Sequence, residues 1–179
     1  MTKKKARAQK AELIAVDGVD PAAILAHARA ALGHASRGGI SRWDASGVFQ
    51  ELAVADKAAG APSARTLLLL YAADLAFRLR WQIRPALSEG RTVVAAPYVD
   101  TALAFGRAAG LKPSWLMNLF RFAPRARQRL YAHATASRAS AVTDGFVRFS
   151  VDRMAVDRGS RRRIVAQTAA ELRGRFDRD

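Results

Sequence analysis

The sequence predicts an α/β domain with a mostly parallel central sheet covered by helices on both faces. Three observations carry that expectation. The chain has 179 residues, enough to bury one sizeable core. Half of it is apolar and a quarter charged (50% and 25%), the ordinary globular balance. The strand-like runs Leu13-Ile14-Ala15-Val16 and Thr92-Val93-Val94-Ala95-Ala96 are short, unbroken and separated by helical patterns, as buried parallel strands are.

Residues 1–11 read as a disordered basic tail, with Lys3, Lys4 and Lys5 and no apolar face, ahead of a single domain over 12–179. After the first strand, Asp17-Gly18-Val19-Asp20 turns the chain. Asp20 suits an N-cap and Pro21 the first helical position of a helix from Pro21 to about Leu32, stopped by Gly33. Gly38 to Trp43 is a loop leading into a weak strand, and Val48 to Lys57 a short helix. Ser63 can cap a long helix from Ala64 to Leu87, whose last turn Pro85 should bend or loosen. The second buried strand follows Gly90. Helices are expected from Asp100 to Gly110 and from Ser114 to Phe122, then a strand from Arg129 to Ala134. Phe146 to Asp152 fits helix or strand, Met154-Ala155-Val156 reads as a short strand, and Ser160 as the cap of the last helix.

Several classes are excluded or disfavoured. The longest apolar run, from Leu67 to Ala73, ends at Asp74, short of the roughly 18–20 residues of a membrane span. The apolar patch after the basic N-terminus is only Leu13 to Val16, too short for a secretory signal, so a cytoplasmic protein is expected. With no cysteine, disulfides, thiolate metal sites and cysteine nucleophiles are ruled out. His27, His34 and His133 make a poor zinc set, and no metal site is expected. Asp20 reads as a cap, and Asp74 as the partner of a nearby arginine.

Thirty Lys and Arg against fifteen Asp and Glu give +15. Such a field attracts polyanions, nucleic acid among them, although an arginine excess can be purely compositional. Candidate polyanion contacts are Lys3, Lys4, Lys5, the cluster Arg125, Arg127 and Arg129, and Arg161-Arg162-Arg163. The last three sit at a helix start, where cations oppose the helix dipole and an anion would relieve them. Neither cluster shows a repeating aromatic interleave in sequence, so specific single-strand recognition is not indicated.

The segment from Leu68 to Phe122 resembles bacterial thymidylate kinase. The resemblance rests on Leu70-Tyr71-Ala72-Ala73-Asp74, Ile83-Arg84-Pro85-Ala86-Leu87, Tyr98-Val99-Asp100-Thr101-Ala102-Leu103-Ala104-Phe105, Gly110-Leu111-Lys112-Pro113-Ser114-Trp115-Leu116 and Asn118-Leu119-Phe120-Arg121-Phe122-Ala123. Leu13 to Asp20 is similar to the family's first strand and the opening of its phosphate loop, and Met154 to Phe176 to its last strand and helix. The lid region, about 134–143, looks shortened. The resemblance implies a P-loop nucleotide-kinase-like three-layer fold. It also implies a homodimer through the helices that align with Ala64–Leu87 and Asp100–Gly110.

The family's chemistry transfers less well. A phosphate loop needs glycine backbone donors, a lysine for the β/γ-phosphates and a Ser or Thr for Mg²⁺. Aligned from Gly18, the family's Gly-Lys-Ser/Thr falls on Ala23, Ile24 and Leu25, and Pro21 removes a donor. The Asp-Arg-Tyr after the second buried strand is Ala96-Pro97-Tyr98 here. The nucleotide-contacting arginine after Ala-Ala-Asp is Leu75, and the thymine-holding Tyr-Gln pair is Phe105-Gly106. Each such loss costs about 10²–10³ in rate, and four coincide. The resemblance leaves Asp17, Arg42, Tyr71, Asp100 and Phe105 as a candidate residual nucleotide pocket, with Arg42, Arg65, Arg78 or Arg138 as substitutes for the missing cations. The expected function is that of a non-catalytic thymidylate-kinase-like binding or regulatory module without a cofactor, in contact with nucleic acid or another polyanion. One alternative is a divergent dTMP kinase using ATP and Mg²⁺. The other is a structural partner of a second protein.

Overall fold

The fold is seen in a computed structural model that describes residues 11–33, 35, 37–54, 60–133 and 145–177. The basic tail with Lys3, Lys4 and Lys5, the histidine His34, the C-terminal end expected for the short helix at Lys57, and the lid region with Arg138 lie outside the described residues.

Strands β1 (Leu13–Gly18), β2 (Gly38–Arg42), β3 (Thr92–Ala96) and β4 (Gln128–Ala132) form a four-stranded sheet in the order β2-β3-β1-β4. Every pair is parallel, with Leu13 opposite Val93, Ile14 opposite Gln128 and Ile40 opposite Val94. Strand period two divides the core. Ile14, Val16 and Val94 face α1 (Pro21–Leu32), where they meet Ala23, Ile24 and Ala28. Leu13, Ala15, Val93 and Ala95 face the larger cluster built by α2 (Val48–Val54), α3 (Ala64–Arg78), α5 (Val99–Ala108), α6 (Pro113–Leu119), α7 (Phe146–Arg153) and α8 (Arg158–Phe176). Helices on both faces of a parallel sheet place the two central strands, β1 and β3, in the interior, which is why they read as continuous apolar runs.

Local chemistry sets the element ends. Asp20 caps α1 by accepting from the Ala23 N–H at 2.9 Å, and Ser63 caps α3 through the Thr66 N–H at 3.1 Å. The long helix expected over Ala64–Leu87 runs on, but through a π-helical turn at Leu79–Ile83 into α4 (Arg84–Ser88). Pro85 supplies no N–H to the carbonyl four residues back. The extra residue re-registers the ladder, so that the Arg84 N–H reaches the Leu79 carbonyl.

Two expectations are corrected at the C-terminal end. Met154-Ala155-Val156 is not a strand but the link between α7 and α8, the Met154 N–H closing α7 on the Ser150 carbonyl. Asp157 starts the next helix at once, so the three apolar residues reach no partner strand. The cap of α8 is Asp157, not Ser160. The Asp157 carboxylate accepts from the Ser160 N–H at 2.9 Å and from its hydroxyl at 2.7 Å, which holds Asp157 below the usual carboxylate range. That negative charge faces the dipole of a helix start rich in arginine. Arg161 also lies 3.5 Å from Asp152, so part of the anion sought for this cluster is supplied by the chain itself.

Arg78 holds the middle of the fold together. It is 0% exposed. Its Nε donates to Ser41 Oγ (3.0 Å), its Nη2 to the Ser41 carbonyl (2.7 Å) and its Nη1 to the Pro97 carbonyl (3.0 Å), with Asp74 at 4.0 Å. Asp74 in turn accepts from the Asp44 and Ser46 N–H groups and the Ser46 hydroxyl. The expected Asp74–arginine pairing is therefore present, and it ties α3 to β2 and to both following loops. Arg78→Met leaves Asp74, Ser41 and Pro97 with unpaired buried groups. It should lower unfolding free energy by about 3–5 kcal/mol, read as a fall in urea midpoint at unchanged m-value.

Candidate functional site

In an open parallel sheet, ligands meet the carboxyl ends of the strands. Here that region is the turn after β1, the start of α1, the loop after β3 and the start of α7. Three of its donors are already used. The Gly18 N–H goes to Thr101 Oγ1 (3.1 Å), the Ala23 N–H to Asp20 Oδ1 (2.9 Å) and the Ile24 N–H to the Asp20 carbonyl (3.0 Å), while Pro21 has none. A phosphate bound over this turn would find aliphatic side chains and satisfied amides.

The space is also filled. Ile24 is buried among β1 and β4 side chains, and α7 enters from the opposite side. A methyl group added at Gly145 would lie 2.6 Å from Pro21 Cγ, so only glycine lets the start of α7 approach this closely. A cavity of about 50 Å³ remains, lined by Gly18, Pro21, Ile24, Leu25, Arg42 and Phe146, among others. That is room for a water or two, whereas small-molecule sites run to roughly 300–1,000 Å³.

The residues read as a residual nucleotide pocket are scattered among other tasks. Tyr71 and Phe105 are each 0% exposed, and Phe146 occupies the space between them, with ring centroids 4.4 Å from Tyr71 and 5.2 Å from Phe105. The Tyr71 hydroxyl donates to the Tyr98 carbonyl at 2.6 Å, and burial pushes its phenol well up. Neither ring is open to a base, so the reading of both as pocket residues is corrected to core. Gly106 closes the same space, since a methyl group there would meet Leu116 at 2.4 Å and Leu68 at 2.9 Å. Leu75 is core. Ala96 ends β3, the cis-linked Pro97 follows it, and Tyr98 donates its hydroxyl to the Pro124 carbonyl at 2.7 Å.

Asp17 and Asp100 sit side by side with different partners. Asp17 is 0% exposed, and its Oδ1 accepts from the Tyr98 N–H (2.9 Å), the Thr101 N–H (2.9 Å) and the Thr101 hydroxyl (2.7 Å). It caps α5 from the neighbouring strand. Among the described residues its Oδ2 has no hydrogen-bond partner. Burial above all, then the Asp100 carboxylate, raise Asp17 to about 6 against these hydrogen bonds. Asp100 carries two guanidinium groups, Arg129 on Oδ2 at 2.9 Å and Arg175 on Oδ1 at 2.8 Å.

Of the proposed substitute cations, the three among the described residues, Arg42, Arg65 and Arg78, stay out of the turn after β1. Arg78 is the buried tie described above, Arg65 lies over the Trp115 ring at 5.1 Å, and Arg42 stands exposed at the cavity's edge. Among the candidate polyanion contacts, Arg127 pairs with Glu12 at 3.2 Å and Arg163 donates to Ser160, while Arg125 and Arg162 are exposed. Among the described residues no group of three or more His, Asp or Glu could hold a metal ion. Thr101 and Phe146 were not singled out as site residues in sequence. A threonine one turn into a helix and a phenylalanine beside an ambiguous segment carry no signal until the fold brings them to β1.

The sheet order, the helices on both faces and this set of loops define an α/β protein of P-loop nucleotide-kinase-like three-layer architecture. Over 57 residues the chain is 46% identical to the probable thymidylate kinase of Pyrococcus horikoshii and 44% to that of Pyrococcus abyssi, each match covering 32% of this chain and 28% of the relative. The probable thymidylate kinase of Thermococcus gammatolerans is 44% identical over the same length, 27% of its own chain. The matched stretch is thus under a third of these curated relatives, and it relates the chain to archaeal thymidylate kinases at the level of the family. No model of a known protein family matches the chain.

The raised Asp17 sets a pH dependence. Its folded state favours the protonated form, so the stability this group contributes is fully present below about pH 3.8 and is lost as pH rises through about 6. The fall is about 3 kcal/mol, from the roughly two-unit difference between 3.8 and about 6. Chemical denaturation across that interval should show the slope, and Asp17→Asn should flatten it.

Proposed function

We propose that the chain is a non-catalytic relative of thymidylate kinases that acts as a binding or regulatory module. The filled space over the turn from β1 to α1 carries this reading. A triphosphate is held by backbone donors and a cation in a water-excluded cradle. This turn offers a proline, Ile24, amides already bonded and a cavity of about 50 Å³. The +15 charge supports an anionic partner, nucleic acid among them. Thermal unfolding should be unmoved by ATP, dTMP and Mg²⁺ together, and a coupled assay should yield no dTMP-dependent ADP. ADP formation abolished by Gly18→Val would overturn the reading.

A second element of the proposal concerns pairing. Leu69, Ala73, Phe77 and Trp81 recur every four residues along α3 and the π-helical turn, all of them exposed, with Trp81 62% and Leu69 50% accessible. Such a ridge packs against its own copy in a crossed-helix dimer. Sedimentation should give a dimer that Phe77→Glu with Trp81→Glu converts to monomer without loss of helical signal.

A further inference from the structure

The basic residues near the C-terminal edge of the sheet gain in three dimensions what they lack in sequence, namely aromatic neighbours. Arg129 and Tyr131 share one face of β4, with His133 just beyond its end. The Tyr131 ring stacks on Phe176 from the end of α8, centroids 5.6 Å apart and planes at 25°, and the His133 ring meets Tyr131 edge-on at 4.4 Å. The Arg129 guanidinium covers the Phe176 ring at 4.9 Å. Tyr131 and Phe176 are half-buried, and His133 is exposed.

Beside this cluster lies a cavity of about 450 Å³, lined by Arg125, Arg129, Arg175, Asp100 and Tyr98, among others. Two of its arginines, Arg129 and Arg175, pair with Asp100. Arg125, which lines it, is exposed, Arg173 is exposed near Tyr131, and Phe122 is 41% accessible on the same loop as Arg125.

We infer that this surface, built from β4, the end of α8 and the loop before β4, binds single-stranded nucleic acid. A base stacks on the Tyr131–His133–Phe176 cluster, and flanking phosphates are met by Arg125 and Arg173. The inference rests on the proposal that the chain is a binding module. Arginines alone would suit any polyanion. Rings set among them add a term only for a partner with exposed base faces, which a duplex withholds. The cavity has the size of a nucleotide-scale site. An anionic membrane would instead be met by projecting aliphatic side chains, and here the rings pack against one another.

The test uses the full chain and a labelled oligothymidylate followed by anisotropy over a salt series, with heparin as a polyanion that has no bases. Arg125→Ala and Arg173→Ala should each weaken binding and reduce the log–log salt slope by about 0.7. Tyr131→Leu should cost roughly 5- to 150-fold in oligonucleotide affinity while leaving heparin binding unchanged. His133→Ala, at an exposed position, guards against a folding artefact. An oligonucleotide carrying 2-aminopurine should be quenched on the native surface and less so on either ring variant. Binding that survives all four substitutions overturns the inference, as does equal loss of heparin and oligonucleotide in Tyr131→Leu. Binding that disappears only when Arg161, Arg162 and Arg163 become alanine also overturns it, because the contact then lies at the other end of α8. A chain that binds no oligonucleotide and makes no ADP defeats this surface and leaves the non-catalytic reading standing. A chain that makes ADP and still binds oligonucleotide through Tyr131 does the reverse.

Discussion

One buried carboxylate organises the end of the molecule where a ligand would be sought. Asp17 leaves β1, takes two backbone N–H groups and a hydroxyl from the loop after β3 and the first turn of α5, and thereby locks two neighbouring strand ends to one helix. Thr101 closes the circuit by accepting from the Gly18 N–H at 3.1 Å. Donors that a phosphate-binding turn would direct outward are drawn inward. Satisfied internal donors and a missing cation act in the same direction, because an incoming phosphate would have to break existing bonds before forming its own.

The aromatic core completes what the carboxylate begins. Phe146 stands between Tyr71 and Phe105, and Phe49 and Trp43 extend the cluster with centroids 5.9 and 6.2 Å from Phe146. Edge-to-face rings at such distances contribute beyond their buried area. Expelling Phe146 to admit a base would therefore forfeit both burial and ring contacts. Gly106 and Gly145 permit the close approaches of α5, α6 and α7 that make this packing possible. The closed turn after β1 and this aromatic cluster are two parts of one packed interior.

Much of this was legible in sequence, and the remainder was hidden for physical reasons. The caps at Asp20 and Ser63, the buried strands β1 and β3 and the Asp74–arginine tie follow from local chemistry and period alone. Helix α7 was ambiguous because Phe146, Val147, Phe149 and Val151 are strand-favouring residue types, while its buried residues, Phe146, Val147, Ser150 and Val151, recur at the helical spacing of four. Met154-Ala155-Val156 is apolar enough for a strand, yet a strand also needs an edge to pair with, and no local pattern reports that. Arg78 looked like a mobile cation on a helix. Its burial depends on acceptors contributed by β2 and the loop after β3, far away in the chain. The aromatic neighbours of the arginine cluster were invisible for the same reason, since Phe176 reaches Tyr131 only after α8 has folded back along α5.

The placement of charge gives the +15 a different meaning from its formal value. Acidic residues are fifteen in the whole sequence. Asp17 and Asp74 are fully buried, and Asp100 nearly so, each engaged in holding backbone or guanidinium groups. A buried carboxylate already bonded to donors does little to screen an arginine on the surface. Solvent therefore meets fewer negative charges than the composition suggests, while Arg125, Arg162 and Arg173 remain exposed. A random arginine surplus would be expected to scatter over the surface. Here two arginines converge on one carboxylate at 2.8 and 2.9 Å beside a half-open ring cluster. Holding two rotamer-rich side chains in one fork costs conformational entropy. Arrangement, more than amount, thus sets this cluster apart from a scattered excess.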